Sequence, residues 1–240
     1  MIEWLLAPID AARGHDLGAA AAWHGRLMVL AWAVLLPIGV IVARFFKVTA
    51  RQNWPAQLDN KAWWIAHQAS QYIAAALIIG ALWLIWRPGI GATDHAVLGW
   101  LVVVGCALQI LGAWVRGSKG GPTEPRADGS LRGDHYDMTS RRRLFERVHK
   151  SLGYLAILVS VAAILSGLWL ANAPRWMWLM LTVWWLGLIS LAMVLQARGK
   201  AIDTYQAIWG PDPAHPGNRV PPIGWGVRRP PVGRGTANHE

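Results

Sequence analysis

Apolar residues in this chain do not alternate with polar ones but run in long blocks: Leu17–Phe46, Ala62–Trp86, Asp94–Val115, Leu144–Leu170 and Trp176–Ala197. At a helical rise of about 1.5 Å per residue, each block is long enough to cross a hydrocarbon core roughly 30 Å thick. The pattern predicts an all-α integral membrane protein with five transmembrane helices. The connections at 48–60, 87–93 and 171–175 are short, which favours antiparallel neighbours, so helices 1–4 are expected to form an up-down four-helix bundle. Pro174 suits the opening of the fifth helix. The chain thus divides into an N-terminal segment (1–16), a transmembrane domain (17–197) and a tail (198–240) rich in Pro and Gly. The first segment is expected to form a short amphipathic surface helix with Trp4, Leu5 and Leu6 towards lipid. The longest interior loop spans 117–139 and contains Gly-Gly-Pro at 120–122. The tail is expected to lie as an irregular segment on the inner face.

Composition agrees with a membrane chain: 54% of the 240 residues are apolar and 17 are tryptophan. The net charge of +10 would suit a nucleic-acid partner if it formed a stripe, but it follows topology. One side holds Arg13, Arg26, Arg87 and Arg175, and the other holds the remaining 19 of the 23 basic residues. This positive-inside asymmetry puts the N-terminus outside and the C-terminus in the cytoplasm of a bacterial-type inner membrane, with lipid and not nucleic acid as the partner. Glu3, Asp10 and the lack of a basic opening argue against a cleaved signal peptide. The single cysteine, Cys106, leaves no disulfide and no C-x-x-C-H attachment, so any haem is held without thioether links.

Ionisable residues within spans are costly and mark function. Four histidines, His24, His67, His95 and His149, fall near the N-terminal ends of the first four blocks. Successive helices run in opposite directions, so His24 and His95 sort to the outer side and His67 and His149 to the inner side. In a square bundle these pairs are diagonal, and each can clamp a flat macrocycle with one imidazole on either axial face. Small neighbours (Gly25, Ala66, Ala96, Gly153) leave room for it. The expected cofactors are two bis-histidine haems with irons on the order of 20 Å apart. Zinc asks for about four converging ligands, which these pairs do not supply. Arg26 is a candidate partner for an outer haem propionate. Lys61, Arg143, Arg147 and Lys150 are expected around the inner site. Trp63, Trp64, Trp86, Trp176 and Trp178 read as an interfacial belt, and Pro37 with Gly39 as a bend in the first helix.

At these residues the chain resembles the cytochrome b561 and ferric reductase transmembrane family, in the form associated with DOMON domains but here without one. The resemblance rests on His24-Gly-Arg with Pro37-Ile-Gly39 and Arg44, Trp64-Ile-Ala-His67, His95-Ala-Val-Leu-Gly-Trp100 and Arg147-Val-His149-Lys-Ser-Leu-Gly-Tyr154, over residues 22–197. It implies a dihaem b-type cytochrome with the family ligands at His24, His67, His95 and His149. It also implies ascorbate as one anionic substrate for the basic inner residues.

The resulting reading is a transmembrane electron conduit from a quinol or cytoplasmic reductant to a periplasmic acceptor. A ferric reductase is a variant of it. A different class, an accessory or anchor subunit docking a larger redox or membrane complex, is motivated by the tail and the ligand-free fifth span. A homodimer stays open.

Overall fold

The computed structural model describes residues 1–86, 93–118, 121 and 125–230. Its long helices are α2 (Ala19–Phe45), α3 (Ala62–Ile85), α4 (Asp94–Trp114), α5 (Ser140–Leu170) and α6 (Arg175–Ala197), each long and apolar enough to cross a membrane. Short helices α1 (Ile2–Leu6) and α7 (Thr204–Trp209) lie at the two ends. The described residues contain no sheet, only isolated bridges at Pro8–Pro174 and Ile202–Arg228. The connection at 87–92 and the Gly-Gly-Pro stretch fall at least partly outside the described residues.

Local chemistry sets the helix starts. Thr93 and Thr139 lie just before α4 and α5, and each Oγ1 accepts a hydrogen bond from a first-turn amide, Ala96 at 3.1 Å and Arg142 at 3.3 Å. These are N-caps, which satisfy donors that have no intrahelical partner. Pro174 lies just before α6.

Helix α2 is irregular at its centre. Residues Leu30–Leu35 are wound as a π-helix, and the Leu36 amide reaches Ala31 O five residues back. Pro37 accounts for part of this. With no N–H it cannot donate to Ala33 O, the carbonyl four residues before it. The indole of Trp184 on α6 donates to that carbonyl instead, at 2.7 Å. The bend expected at Pro37 and Gly39 is therefore a widened turn just before the proline, pinned from the neighbouring helix.

Helix α2 packs on α3, α4 packs on α5, and α2 also touches α5. Their shared core contains Ala31, Trp32, Ala33, Leu36, Ala74, Ile78, Val102, Ala156 and Ile164, with Leu181 from α6.

Each end of the bundle carries a cover. At the N-terminal end, Asn172 is 1% exposed. Its side-chain amide donates to Asp10 O (2.9 Å) and Arg13 O (2.7 Å), and its Oδ1 accepts from Asp10 N (3.0 Å). This fastens residues 1–14 to the α5–α6 turn. Trp4 and Leu6 are exposed on α1, and Leu5 is partly covered.

At the opposite end the tail is more ordered than its composition predicts. Residues 201–210 are all buried. Tyr205, Ile208, Trp209 and Ile223 form a second small core with Met138 from the preceding loop. A six-residue helix has too few turns to show a periodicity in the sequence, and its burial comes from a loop distant along the chain.

Candidate functional site: two histidine pairs at two depths

Helix direction and spacing bring the four intramembrane histidines together in twos. His24 (α2) faces His95 (α4) with ring centroids 6.2 Å apart and planes at 87°. His67 (α3) faces His149 (α5) at 6.3 Å and 81°. A metal ion with two opposed imidazole nitrogens at about 2 Å, each roughly 1.1 Å from its ring centre, holds the centroids about 6.2 Å apart. Both pairs have a spacing that would let one metal be held between two imidazole nitrogens.

The ring tautomers follow from the partners. Nδ1 of His24 lies 3.0 Å from Ala81 O, Nδ1 of His67 lies 3.0 Å from Gly39 O, and Nδ1 of His95 lies 3.0 Å from Ala163 O. A carbonyl only accepts, so each Nδ1 donates and each Nε2 keeps its lone pair for a metal. Ser166 Oγ adds a second partner to His95 at 3.2 Å. His149 is held differently. Its Nδ1 is buried without a hydrogen-bond partner, its ring lies 5.1 Å from that of Phe145, and Gln109 Nε2 donates to its backbone carbonyl at 2.8 Å.

The same hydrogen bonds measure the distance between the sites. His24 and the Gly39 carbonyl are 15 residues apart on α2. His67 and the Ala81 carbonyl are 14 apart on α3, and His149 and the Ala163 carbonyl are 14 apart on α5. Three helices thus give one separation of about 21 Å along the bundle axis.

Glycines allow the close approaches. A side chain on Gly39 would collide with Ser70 and Gln71 and push α3 from the carbonyl that holds His67. A Cβ on Gly167 would lie 2.9 Å from His95 Cε1, and one on Gly153 would lie 2.8 Å from Gln109 Nε2.

A cavity of about 230 Å³ opens between His67 and His149 and runs to the tail end of the bundle. Arg44, Lys47, Arg116, Arg142, Glu146 and Lys150 line its polar part. Glu146 is buried and takes Arg142 Nε at 3.1 Å and Lys150 Nζ at 3.0 Å. Lys47 Nζ donates to Ile202 O at 3.2 Å, and burial pushes its pKa down to about 7, with repulsion from Lys150 adding to the effect. Burial also lowers the pKa of Arg116. The tail straps the mouth: Lys150 donates to Ile223 O and Arg44 to Trp225 O, both at 2.6 Å.

The basic residues at this cavity are largely not those that sequence neighbourhood suggests. Of the four expected there only Lys150 lines it; Lys61 and Arg147 are exposed and Arg143 is aimed at Ser140. At the other site Arg26 is exposed and stacks on Trp23 at 5.0 Å. Arg26 and Arg147 each stand two residues from a histidine, which is over half a turn round the helix and therefore on another face. The residues that share a face with His149 are Glu146 and Arg142, three and seven positions before it, and that periodicity is the signal by which they are found. Trp63 also departs from the interfacial reading, since it is buried under Lys47 and lines the cavity. Among the described residues no three His, Cys, Asp or Glu side chains converge as a metal site. Each pair supplies two nitrogens, the number required by an iron whose other four ligands come from a macrocycle.

No family model matches the chain, and no solved structure does. Among curated proteins it is 28% identical over 170 residues to a cytochrome b561, DM13 and DOMON domain-containing protein of Arabidopsis thaliana, covering 70% of this chain and 16% of that one. It is 32% identical over 150 residues to ferric-chelate reductase 1 of Bos taurus, covering 60% and 22%. It is 28% identical over 150 residues to a cytochrome b561 and DOMON domain-containing protein of Arabidopsis thaliana, covering 60% and 27%. The chain thus spans about a quarter or less of these relatives' lengths. Over its membrane-spanning part the chain is thus similar to proteins named as cytochrome b561 and DOMON domain-containing proteins and as ferric-chelate reductase 1.

Proposed function

We propose that the chain is a b-type cytochrome that passes electrons across a membrane between two haems, one held by His24 and His95 and the other by His67 and His149. The observation that carries this reading is the pair of imidazole couples, 6.2 and 6.3 Å between ring centres, at two depths of one bundle. The names of the relatives support it. Haem iron supplies the one-electron chemistry when bound. The protein's own part is orientation and electrostatics. Backbone carbonyls fix three ring tautomers and raise the basicity of their Nε2 atoms. Arg44, Lys47, Arg116, Arg142 and Lys150 offer positive charge to propionates or to an anionic reductant at the tail end.

Basic residues concentrate at that end, so the tail lies in the cytoplasm of an inner membrane and residues 1–16 lie outside. Residues 17–197 form the electron-transfer domain. Electrons enter from a quinol or a cytoplasmic reductant and leave to an outer acceptor. Ferric chelate is the acceptor suggested by the name of the bovine relative.

The test is the reduced-minus-oxidised spectrum of purified protein with haem counted against chain. Wild type is expected to carry two b haems, and His67→Ala to keep only the outer one. Two reducible haems in His67→Ala would reject the assignment.

A further inference from the structure

The middle of the bundle, between the two histidine levels, carries a buried aromatic side chain that the ligand reading does not use. On α2, Trp32 lies eight residues after His24 and seven before Gly39, whose carbonyl holds His67. On α3, Ala74 is midway between His67 and Ala81. On α5, Ala156 is midway between His149 and Ala163. On α4, Val102 is midway between His95 and Gln109, the residue bonded to His149. All four belong to one continuous core. At these four halfway positions stand one large side chain, the indole of Trp32, and three smaller ones.

Several features show that this indole is placed and not merely filling space. Trp32 is 4% exposed, and its Nε1 is buried without a hydrogen-bond partner. A buried indole N–H normally finds an acceptor, and none of the described protein groups supplies one. Trp32 also lines the cavity that contains His67 and His149. It sits within the π-helical stretch Leu30–Leu35, where Ala31, Trp32 and Ala33 are all buried, and Trp184 pins the next residue through Ala33 O. Such local widening of a helix recurs at functional positions.

We propose that Trp32 is the bridging residue through which an electron passes between the two sites, positioned by the π-helical turn and its Trp184 clasp. This rests on the two-haem reading above. The step is a single electron moving from reduced iron at one site to oxidised iron at the other. Trp32 supplies a packed, conjugated path across the middle layer and is itself neither oxidised nor reduced at the end. No proton or bond changes hands.

The experiment compares wild type, W32F and W32L as purified full-length protein. Haem per chain, both midpoint potentials and the rate of electron transfer between the haems after rapid reduction of one of them are measured. The expected result is two haems at unshifted potentials in the variants, with transfer several-fold slower in W32L and less slowed in W32F. Wild-type transfer in W32L with both haems present would overturn the proposal. Should leucine cost a haem, W32F decides: slower transfer at unshifted potentials supports the bridge, and an unchanged rate overturns it. Lost haem or shifted potentials in both variants would assign Trp32 to packing and overturn it too. Fewer than two haems in wild type would instead reject the two-haem reading, which the haem count alone reveals.

Discussion

Gly167 shows how tightly single residues set this site. Its missing side chain is the space in which the His95 ring lies, and even a Cβ would stand 2.9 Å from Cε1. Gly167→Val is expected to displace His95 from Ala163 O and from its partner His24 and, on the two-haem proposal, to remove the haem of that pair while sparing the other. Haem counted per chain checks this: one in the variant against two in wild type. Lys47 gives a second consequence, in pH. Folding buries its ammonium and lowers its pKa from 10.5 to about 7. Between those values the unfolded chain binds a proton that the folded chain does not, so stability rises with pH through that window and is lowest at and below its acid end. The thermal midpoint in detergent is expected to be higher at pH about 9.5 than at about 6.5 on this account, with Lys47→Met reducing the difference. An equal rise in the variant would show that other groups govern it.

Among the elements, the N-terminal segment is fastened to the α5–α6 turn by several hydrogen bonds, those of Asn172 among them. Asn172 adopts a left-handed backbone conformation (φ 45°) in the α5–α6 turn and bonds to Asp10 and Arg13. Asparagine tolerates that conformation and alanine resists it. Loss of its hydrogen bonds costs about 1 kcal/mol each, with further cost for groups left unpaired. Asn172→Ala is therefore expected to loosen residues 10–14 without unfolding the bundle. Faster tryptic cleavage at Arg13, with an unchanged haem spectrum, is the measurement. The helices themselves are joined through apolar packing and through scattered hydrogen bonds, among them those of His24, His67, His95, Gln109 and Trp184 to carbonyls of neighbouring helices.

For the molecule as a whole, the tail is what closes the cavity end. Its fold depends on Asp203, 3% exposed, paired with Arg229 Nε at 2.6 Å. Arg229 also donates to the carbonyls of Gly217, Asn218 and Val220. Breaking a largely buried ion pair by deleting one partner costs about 3–5 kcal/mol. Asp203→Ala is expected to loosen 201–229 and, with it, the strap at Ile223 and Trp225 over the mouth. Hydrogen exchange should accelerate through α7 while the membrane helices stay protected; unchanged protection of α7 would show that the small core of Tyr205, Ile208 and Trp209 holds the cap unaided.

The spans and the depth order of the histidines were legible in the sequence for a simple reason. A membrane demands unbroken apolar length, and alternating helix direction sorts N-terminal histidines into two layers. Tertiary structure alone decided which charges face the cavity. Arg26, Lys61 and Arg147 are near the histidines in sequence but exposed and outside the cavity lining, whereas Arg44, Lys47 and Arg116 reach the cavity from other helices and loops. It also decided that Thr204–Trp209 would be buried, since its apolar partners come from residues 131–138 and 220–223. It set Trp32 at the halfway level, because that position is defined only by hydrogen bonds between helices. Apolar length and helix direction are properties of a segment; the facing of a side chain depends on what packs against it.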